Sequence, residues 1–194
     1  MIKLIVGLGN VGASYVDTRH NAGFWFVEQV ADKFGISLSH DKKFHGMVGR
    51  GTVCGCDVRL LMPDTLMNRS GQAVAPMAKF YNIAPDEILI AHDELDIKAG
   101  SIRLKKGGGH GGHNGLRDIV PHIGAEFYRL RIGIGHPGQA SKVSAWVLSK
   151  PSADDRISID GAIDCAIGAL PLLMAGDTQK ATSQINGFKL PNEH

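Results

Sequence analysis

The most informative stretch of the chain, residues 88–119, reads ILIAHDELDIKAGSIRLKKGGGHGGHNGLRDI. Its first four residues are apolar, as in a buried strand, and they lead into His92, Asp93 and Glu94, at the strand end where α/β sheets place ligand-contacting groups. Glycine then occupies six of the nine positions from Gly107 to Gly115, which lets backbone amides approach a ligand closely. This pattern predicts an α/β protein with a binding site at this point. A flexible, solvated glycine loop is the alternative.

The rest of the chain extends this pattern in both directions. Strands are predicted at residues 2–6, 46–53, 57–62, 101–105 and 128–133. A first helix is predicted at residues 21–34, with Gly35 as its stop, and a second from Ser70 or Ala75 to Tyr81. A third helix is predicted to begin after an N-cap at Asn114. The C-terminal third is predicted to form one long amphipathic helix, followed by a shorter helix at residues 178–185. Strands and helices alternate without a repeat or a linker. We therefore expect one α/β domain that covers residues 1–194.

The composition is that of a globular protein, with 43% hydrophobic and 21% charged residues. The sequence has no apolar run long enough to span a bilayer, and its first ten residues lack the cationic region and cleavage site of a signal peptide. We therefore expect a cytoplasmic protein without a membrane partner. The three cysteines, Cys54, Cys56 and Cys165, are an odd number without zinc-type spacing, so we expect them to be reduced and structural.

Positive charge is concentrated in one region. The formal net charge is +2, yet residues 98–131 hold seven cations and two acids, a balance of +5 that leaves −3 for the remainder of the chain. Such asymmetry favours a local site for phosphate or nucleic acid. A solvated basic face is the alternative that the sequence leaves open.

Gly7, Gly9 and Gly12 form a G-x-G-x-x-G pattern directly after the first strand, which is typical of dinucleotide-binding proteins. A Rossmann unit needs a second parallel strand that ends in an acidic residue about 20 residues later, whereas Asp32 lies here within a helical pattern. The turn also does not open directly into a helix. A nucleotide-dependent oxidoreductase is therefore disfavoured, and we expect no cofactor.

A metal site in the opening stretch would use ligand-type atoms of His92, Asp93, His110 and His113. H-x-x-H within a glycine run is not a recognised zinc spacing, and neither a cysteine nor an H-E-x-x-H sequence accompanies it. We therefore expect no metal site.

His20 stands in a polar segment between the first strand and the first helix. Because Asp93 also follows a strand, the two side chains can meet at one end of the sheet, where a carboxylate would orient the imidazole as a general base. Asn10, Asn68 and Asn114 are three amides near strand ends that can bind an oxyanion or a substrate N–H. The chain has no serine or cysteine in a nucleophile elbow, so water is the expected nucleophile. Taken alone, His20 would more simply be a helix cap or a surface group.

Four segments resemble the successive signatures of the bacterial peptidyl-tRNA hydrolase family. They are IVGLGNVGASYVDTRHNAG, PDTLMNRSGQAV, AHDELDIKAGSIRLKKGGGHGGHNGLRDI and YRLRIGIGHP, in this order between residues 5 and 137. The resemblance implies a monomeric, metal-independent esterase with a mixed, mostly parallel central β-sheet surrounded by helices. Such an enzyme cleaves the ester between a peptide and the ribose of the terminal adenosine of tRNA, and so recycles peptidyl-tRNA that ribosomes release prematurely.

The resemblance also assigns roles by motif position. His20 matches the catalytic base, Asp93 the carboxylate that stabilises and orients it, and Asn10 the residue that distinguishes N-blocked from free aminoacyl-tRNA. The matched substrate-binding positions are Asn68, Asn114, Leu66, Met67, His113 and Asn21, and Tyr15 matches a tRNA contact. Asn114 is also a candidate for holding the attacking water. Lys105 and Arg131 match the cations that bind the tRNA 5′ phosphate.

Two positions depart from the family pattern. Val11 stands where the family usually has proline, which should loosen the turn that presents Asn10. Leu66 occupies a position that is often phenylalanine, so a ring that could stack on the terminal nucleotides is missing. Neither departure removes a catalytic atom. An RNA-binding module without catalysis is the other class that fits the basic region, although it would not need His20 with Asp93.

Overall fold

The computed structural model describes residues 1–191, which form a seven-stranded sheet between two layers of helices. The predicted domain runs to residue 194, so its last three residues lie outside the described part. The strands are β1 Leu4–Gly7, β2 Ser39–Asp41, β3 Gly46–Val53, β4 Cys56–Pro63, β5 Ile88–Glu94, β6 Ile102–Lys106 and β7 Tyr128–Gly133. Their order across the sheet is β2-β3-β4-β1-β5-β7-β6.

The centre of the sheet is parallel and its edges are antiparallel. β1 lies parallel to β4 and β5, and β5 lies parallel to β7. β3 is antiparallel to both β2 and β4, and β6 is antiparallel to β7. This arrangement confirms the expected single α/β domain with a mixed sheet that is mostly parallel in its centre.

Helices cover both faces of the sheet. They are α1 Ala22–Phe34, α2 Gly71–Phe80, α3 Asn114–Ile123, α4 Val143–Val147, α5 Ala153–Gly168, α6 Leu170–Met174 and α7 Thr178–Asn186. α1, α5, α6 and α7 contribute to one core, and α2 and α3 contribute to the other. In β1, Leu4 and Val6 belong to one core and Ile5 belongs to the other, as the alternation of side chains in a strand requires. Because both faces are buried, the central strands are continuous apolar runs.

The strands predicted from the sequence are all present, and most of their boundaries lie within about two residues of the predicted ones. β3 and β7 have the predicted bounds, and α1 is followed by Gly35, whose φ of 65° is the left-handed conformation that glycine adopts readily. α2 begins at Gly71, so the earlier of its two predicted starts is correct and Pro76 lies inside the helix. β5 continues to Glu94 and so extends past its predicted end at Ala91.

Two predictions about the helices are wrong. The N-cap of α3 is His113, not Asn114. The long C-terminal helix is interrupted, because α5 ends at Gly168 and α6 begins with Pro171 in its first turn, where proline has no N–H to continue the helical hydrogen bonds. β2 and α4 were not predicted, since three and five residues are too few to establish a hydrophobic period.

The two helices α5 and α6 form an apolar stretch, Ala153–Met174, of 22 residues with a mean hydropathy of 1.6 in its most apolar window. By length and composition this stretch could cross a membrane, contrary to the expectation from the sequence. Half of that window is buried inside the protein, and Ile159, Ile163 and Ile167 belong to the core on that face of the sheet. Packing against the sheet therefore accounts for these apolar residues.

Close packing of α1 against the sheet requires glycine. A Cβ on Gly7 would lie 2.2 Å from the carbonyl oxygen of Gly23, and a Cβ on Gly23 would lie 2.4 Å from the carbonyl oxygen of Ala91 and 2.6 Å from the nitrogen of Leu8. Gly7 of the G-x-G-x-x-G pattern thus serves helix–strand packing. This contact brings the turn Arg19–Asn21, which precedes α1, to the ends of β1 and β5.

Candidate active site

Asp93 lies between two histidines at the end of β5. His20 belongs to the turn before α1, and His113 immediately precedes α3. The distance from His20 Nδ1 to Asp93 Oδ2 is 2.8 Å, and that from His113 Nε2 to Asp93 Oδ1 is 2.7 Å. The three side chains are at most one-tenth exposed. The predicted meeting of His20 and Asp93 is therefore confirmed, and His113 joins them.

Hydrogen bonds fix the tautomers of the two histidines. His113 Nδ1 accepts from the backbone N–H groups of Gly115 at 3.1 Å and Leu116 at 3.4 Å, which makes it the cap of α3. Its proton is therefore on Nε2, which donates to Asp93. In His20 the proton on Nδ1 donates to the carboxylate, and Nε2 is the nitrogen left to accept a proton.

The pKa values of the pair follow from this arrangement. Burial alone would raise the pKa of Asp93, but the adjacent imidazoles of His20 and His113 hold that pKa well below its usual range. Burial alone would lower the pKa of His20, but the charge of Asp93 and its hydrogen bond more than offset this effect, so the pKa of His20 is raised. At neutral pH Asp93 is an anion, and His20 is a stronger base than a free imidazole.

His92 is a buried, neutral imidazole. Its Nδ1 donates to the carbonyl oxygen of Asp93 at 2.9 Å, while its Nε2 has no hydrogen-bond partner within residues 1–191. Burial, reinforced by the neighbouring His113, lowers the pKa of His92 to about 3. His92 therefore adds no positive charge beside Asp93 at neutral pH.

The four residues weighed as metal ligands do not form one cluster. In the described part of the chain, the close group consists of His20, Asp93 and His113, whose ligand atoms lie within 4.8 Å of one another. The Nδ1 of His110 instead accepts from the backbone N–H of Gly112. A cation in this group would replace the protons that the imidazoles share with the carboxylate, and His113 could move its proton to Nδ1 only by giving up the cap of α3. The donor set therefore fits hydrogen bonding better than it fits a metal.

The cluster opens into a cleft of about 530 Å³. Of the residues that the sequence predicts for the site, the cleft is lined by Asn10, His20, Leu66, Met67, Asn68, Asp93, His113 and Asn114. The three asparagines come from three segments: the turn after β1, the turn before α2 and the start of α3. A base, an orienting carboxylate and neutral amides in one cleft can activate water and stabilise a developing oxyanion.

Asn21 and Tyr15 lie outside this lining. Asn21 is buried behind Asn10, where its Oδ1 accepts from the backbone N–H of Asn10 at 2.7 Å and its Nδ2 donates to the carbonyl oxygen of Asn10 at 2.9 Å. It therefore positions Asn10, whereas the resemblance led us to expect it in the wall of the cleft. The two bonds fix the backbone of Asn10 although Val11 lacks the constraint of proline. Tyr15 is 37% exposed on the loop that follows.

Lys105 and Arg131 line a neighbouring cavity of about 220 Å³. Glu94 lines both this cavity and the cleft, and its Oε1 accepts from Arg131 Nε at 2.8 Å. The two cations therefore border the same cavity, and Glu94 compensates part of the charge of Arg131.

Arg129 does not belong to the basic surface that the charge count suggested. It is 2% exposed, and its guanidinium donates to the carbonyl oxygens of Gly108, Gly109 and Ala125. Burial lowers the pKa of Arg129. One of the seven cations thus anchors the start of the glycine-rich loop, so this loop is not solvated along its whole length.

Leu66 and Met67 were predicted for the cleft, but four other apolar residues of the cleft were not. Leu95, Val143, Val147 and Leu148 contribute to its lining. Val143 and Val147 lie four residues apart in α4 and so share one face of that helix. That spacing alone is not a usable signal in the sequence, because α4 is too short to establish a hydrophobic period.

This combination of an α/β fold with a base, a carboxylate and amides in an apolar cleft is typical of hydrolases that use water directly. Known proteins lead to the same class. A family model described as peptidyl-tRNA hydrolase matches residues 4–193. The peptidyl-tRNA hydrolase of Psychrobacter arcticus is 68% identical over 190 residues, covering 98% of each chain, and that of Acinetobacter baumannii is 64% identical over 188 residues, covering 97% of each.

The fold agrees with these relatives. A crystal structure of peptidyl-tRNA hydrolase from Acinetobacter baumannii superimposes with a TM-score of 0.96 at 64% identity, covering 97% of this chain and 96% of that one. The chain therefore belongs to the peptidyl-tRNA hydrolase family, and it is an enzyme.

Proposed function

We propose that the protein hydrolyses the ester bond of peptidyl-tRNA or of N-blocked aminoacyl-tRNA, with His20 as the general base. The hydrogen bond of 2.8 Å between His20 and Asp93 carries this proposal, because it orients the imidazole and leaves Nε2 to take a proton from water. The substrate class rests on relatives at 64–68% identity that are named peptidyl-tRNA hydrolase.

The reaction proceeds in two steps. His20 Nε2 takes a proton from water while the water oxygen attacks the ester carbonyl carbon, and Asp93 stabilises the imidazolium that forms. The side-chain amides of Asn68 and Asn114 donate to the oxyanion, and Asn114 also holds the attacking water. The bond between the carbonyl carbon and the ribose oxygen then breaks, and His20 returns the proton to that oxygen. The peptide leaves as a carboxylic acid, which ionises in water.

Asn10 selects substrates whose first nitrogen is acylated. Such a nitrogen is neutral and its N–H can donate to the side-chain oxygen of Asn10, whereas a free α-amine has a pKa near 8 and is largely cationic at neutral pH. The selection depends on a fixed position for Asn10, which its two hydrogen bonds with Asn21 provide.

The tRNA contacts extend beyond the cleft. Lys105 and Arg131 bind the 5′ phosphate in the cavity that they share. Leu66, which is 67% exposed at the cleft, and Tyr15 contact the acceptor end. Leucine offers apolar contact without the flat face of an aromatic ring, so stacking at this position is weaker than with phenylalanine.

The enzyme acts as a monomer in the cytoplasm and needs no metal. The tautomer of His113 supports metal independence, because its Nε2 carries the proton that Asp93 accepts. Cleavage of an ester also requires less help for the leaving group than cleavage of an amide does.

The test is hydrolysis of N-acetyl-aminoacyl-tRNA by the purified protein in the presence of a chelator. We expect turnover by the wild type and losses of about 10²-fold or more in His20→Ala and Asp93→Ala. His40→Ala is a matched control, since His40 also pairs with an aspartate, Asp64, but does not line the cleft.

Near wild-type turnover by His20→Ala would refute the mechanism. Binding of tRNA by the wild type without release of the amino acid would instead show an RNA-binding module. Loss of turnover in the chelator would contradict metal independence.

A further inference from the structure

Arg19, the residue before His20, is buried against the end of α4. It is 5% exposed, and its guanidinium carbon lies 3.4 Å from the centre of the Trp146 ring. Its Nη1 donates to the carbonyl oxygen of Trp146 at 3.2 Å and to the carbonyl oxygen of Ser149 at 3.3 Å, as well as to the Ser149 hydroxyl. The backbone N–H of Arg19 also donates to the Ser149 carbonyl oxygen at 3.1 Å. One residue thus combines stacking with four hydrogen bonds.

The residues that Arg19 contacts belong to a segment that lines the cleft. We call residues 143–149 the wall segment, because Val143, Ser144, Val147 and Leu148 all contribute to the lining. α4, which makes up most of it, contains no buried residue among those the structure describes. A helix of five residues without a buried side chain has little stability of its own. Its position therefore depends on anchors such as Arg19.

Release of the wall segment would be unfavourable for Arg19. The guanidinium would lose its stack and its carbonyl acceptors, and its Nε, which lacks a partner within residues 1–191, makes no contact that would replace them. The indole N–H of Trp146 adds a second anchor by donating to the carbonyl oxygen of Gly135 at 2.9 Å. The closed position of the segment is therefore favoured, and it is tied to the turn that carries His20.

We propose that Arg19 is a positioning residue that holds the wall segment closed, and that this segment binds the side chain of the amino acid whose ester carbonyl is attacked. The proposal rests on the ester hydrolysis proposed above. Because Val143, Val147 and Leu148 are apolar, the closed segment favours a large apolar side chain over glycine at that position of the substrate. Arg19 itself does not touch the reacting atoms.

The test compares N-acetyl-leucyl-tRNA with N-acetyl-glycyl-tRNA as substrates for the wild type and Arg19→Gln. Arg19→Gln should lower the fraction of molecules in which the wall segment is closed, and apparent affinity decreases in proportion to that fraction. KM for the leucyl substrate should therefore rise about tenfold, with kcat changed by less than about twofold. KM for the glycyl substrate should rise by less than about threefold. Amide hydrogen exchange should become faster in residues 143–149. Arg19→Lys should restore only part of the leucyl affinity, since lysine lacks the planar guanidinium.

Arg156→Gln is the matched control. Arg156 stacks on the ring of Trp25 at 3.5 Å but does not line the cleft. Its loss should leave both KM values unchanged. Trp146→Leu removes the stack at Arg19 from the other side, so it provides the same test if Arg19→Gln does not fold.

Equal increases in KM for the two substrates would overturn the proposal, as would unchanged KM values together with unchanged exchange. The proposal would also be overturned if Arg19→Gln displaced the acidic limb of the pH–rate profile. Such a displacement would show that the substitution acts on His20. Failure of the wild type to hydrolyse either substrate would refute the proposed function instead.

Discussion

Replacement of Asp93 by asparagine separates the charge of this residue from its shape. The carboxylate accepts from His20 at 2.8 Å and from His113 at 2.7 Å. Asparagine has one acceptor oxygen and one NH₂ donor, so it can accept from one imidazole while its NH₂ faces the N–H of the other. Asp93→Asn therefore removes the negative charge and also forces one histidine to change its tautomer or its orientation.

The size of the effect follows from the charge that His20 acquires during attack by water. An imidazolium and a carboxylate whose charge centres are about 4 Å apart attract each other by about 4 kcal/mol at an effective dielectric constant near 20. A factor of ten in rate corresponds to about 1.4 kcal/mol. Allowing for partial compensation by remaining dipoles, we expect kcat of Asp93→Asn to fall by roughly 10²- to 10³-fold.

The pH dependence should move in a defined direction. Burial lowers the pKa of His20 and Asp93 raises it, with a net increase above 6.5 in the wild type. When Asp93 is replaced, burial still lowers the pKa of His20, and no carboxylate raises it again. The acidic limb of kcat/KM, which reports the free enzyme, should therefore move from above pH 6.5 to below it.

The assay is hydrolysis of N-acetyl-leucyl-tRNA between about pH 5 and pH 9, with circular dichroism to verify the fold of the variant. His40→Ala serves again as the control and should retain the wild-type limb. An acidic limb at the same pH in Asp93→Asn and in the wild type would refute the assignment of His20 and Asp93 as a coupled pair.

Three further predictions concern packing, buried charge and positioning. Gly23→Ala places a Cβ 2.4 Å from a carbonyl oxygen of β5 and should lower the free energy of unfolding by about 2–4 kcal/mol. As a control, the Cβ of Gly168→Ala meets no atom within 4 Å and should not lower this free energy. Urea denaturation measures both variants, and equal losses would contradict the packing. His92 has a pKa of about 3 in the fold against 6.5 in the unfolded chain, so its contribution to stability is lost at about 1.4 kcal/mol per pH unit as pH falls between these values. His92→Gln should reduce this slope in unfolding measured at several pH values, and an unchanged slope would count against a neutral His92. Asn21→Ala removes both hydrogen bonds with Asn10 and should lower kcat/KM for N-acetyl-aminoacyl-tRNA about tenfold. The same variant is also assayed with free aminoacyl-tRNA. If the ratio of kcat/KM for the two substrates stays at its wild-type value, the positioning role is contradicted.

The sheet and the meeting of His20 with Asp93 could be predicted because local signals and topology agree. Apolar runs mark the strands, Gly35 marks the end of α1, and the carboxyl ends of the parallel strands β1 and β5 meet at one edge. The position of a side chain at a strand end is then fixed to within a few residues, which is enough to bring a base and a carboxylate together.

The rest of the site depends on contacts between distant segments. His113 is an unusual N-cap, and its Nδ1 can accept because Nε2 carries the proton and donates a hydrogen bond to Asp93, twenty residues away. Arg129 has the composition of a surface cation, yet carbonyl oxygens of the glycine-rich loop make its burial favourable. α4 is too short for a period to identify it, and its place depends on Arg19. No local pattern in the sequence encodes these pairings.

The glycine contact between β1 and α1 has a consequence for how the site tolerates substitutions in the cores. Where Gly7 meets Gly23, the two elements touch through backbone atoms, and backbone atoms have no rotamers through which to adjust. Gly23 also packs against the backbone of Ala91 in β5, so the separation between α1 and β5 is set by contact between backbone atoms instead of by side-chain size. A substitution that changes side-chain volume in either hydrophobic core therefore does not act on this contact directly. Glycine, the residue with the greatest backbone freedom, thus fixes a spacing between His20 and Asp93 that side-chain volume in the cores does not set.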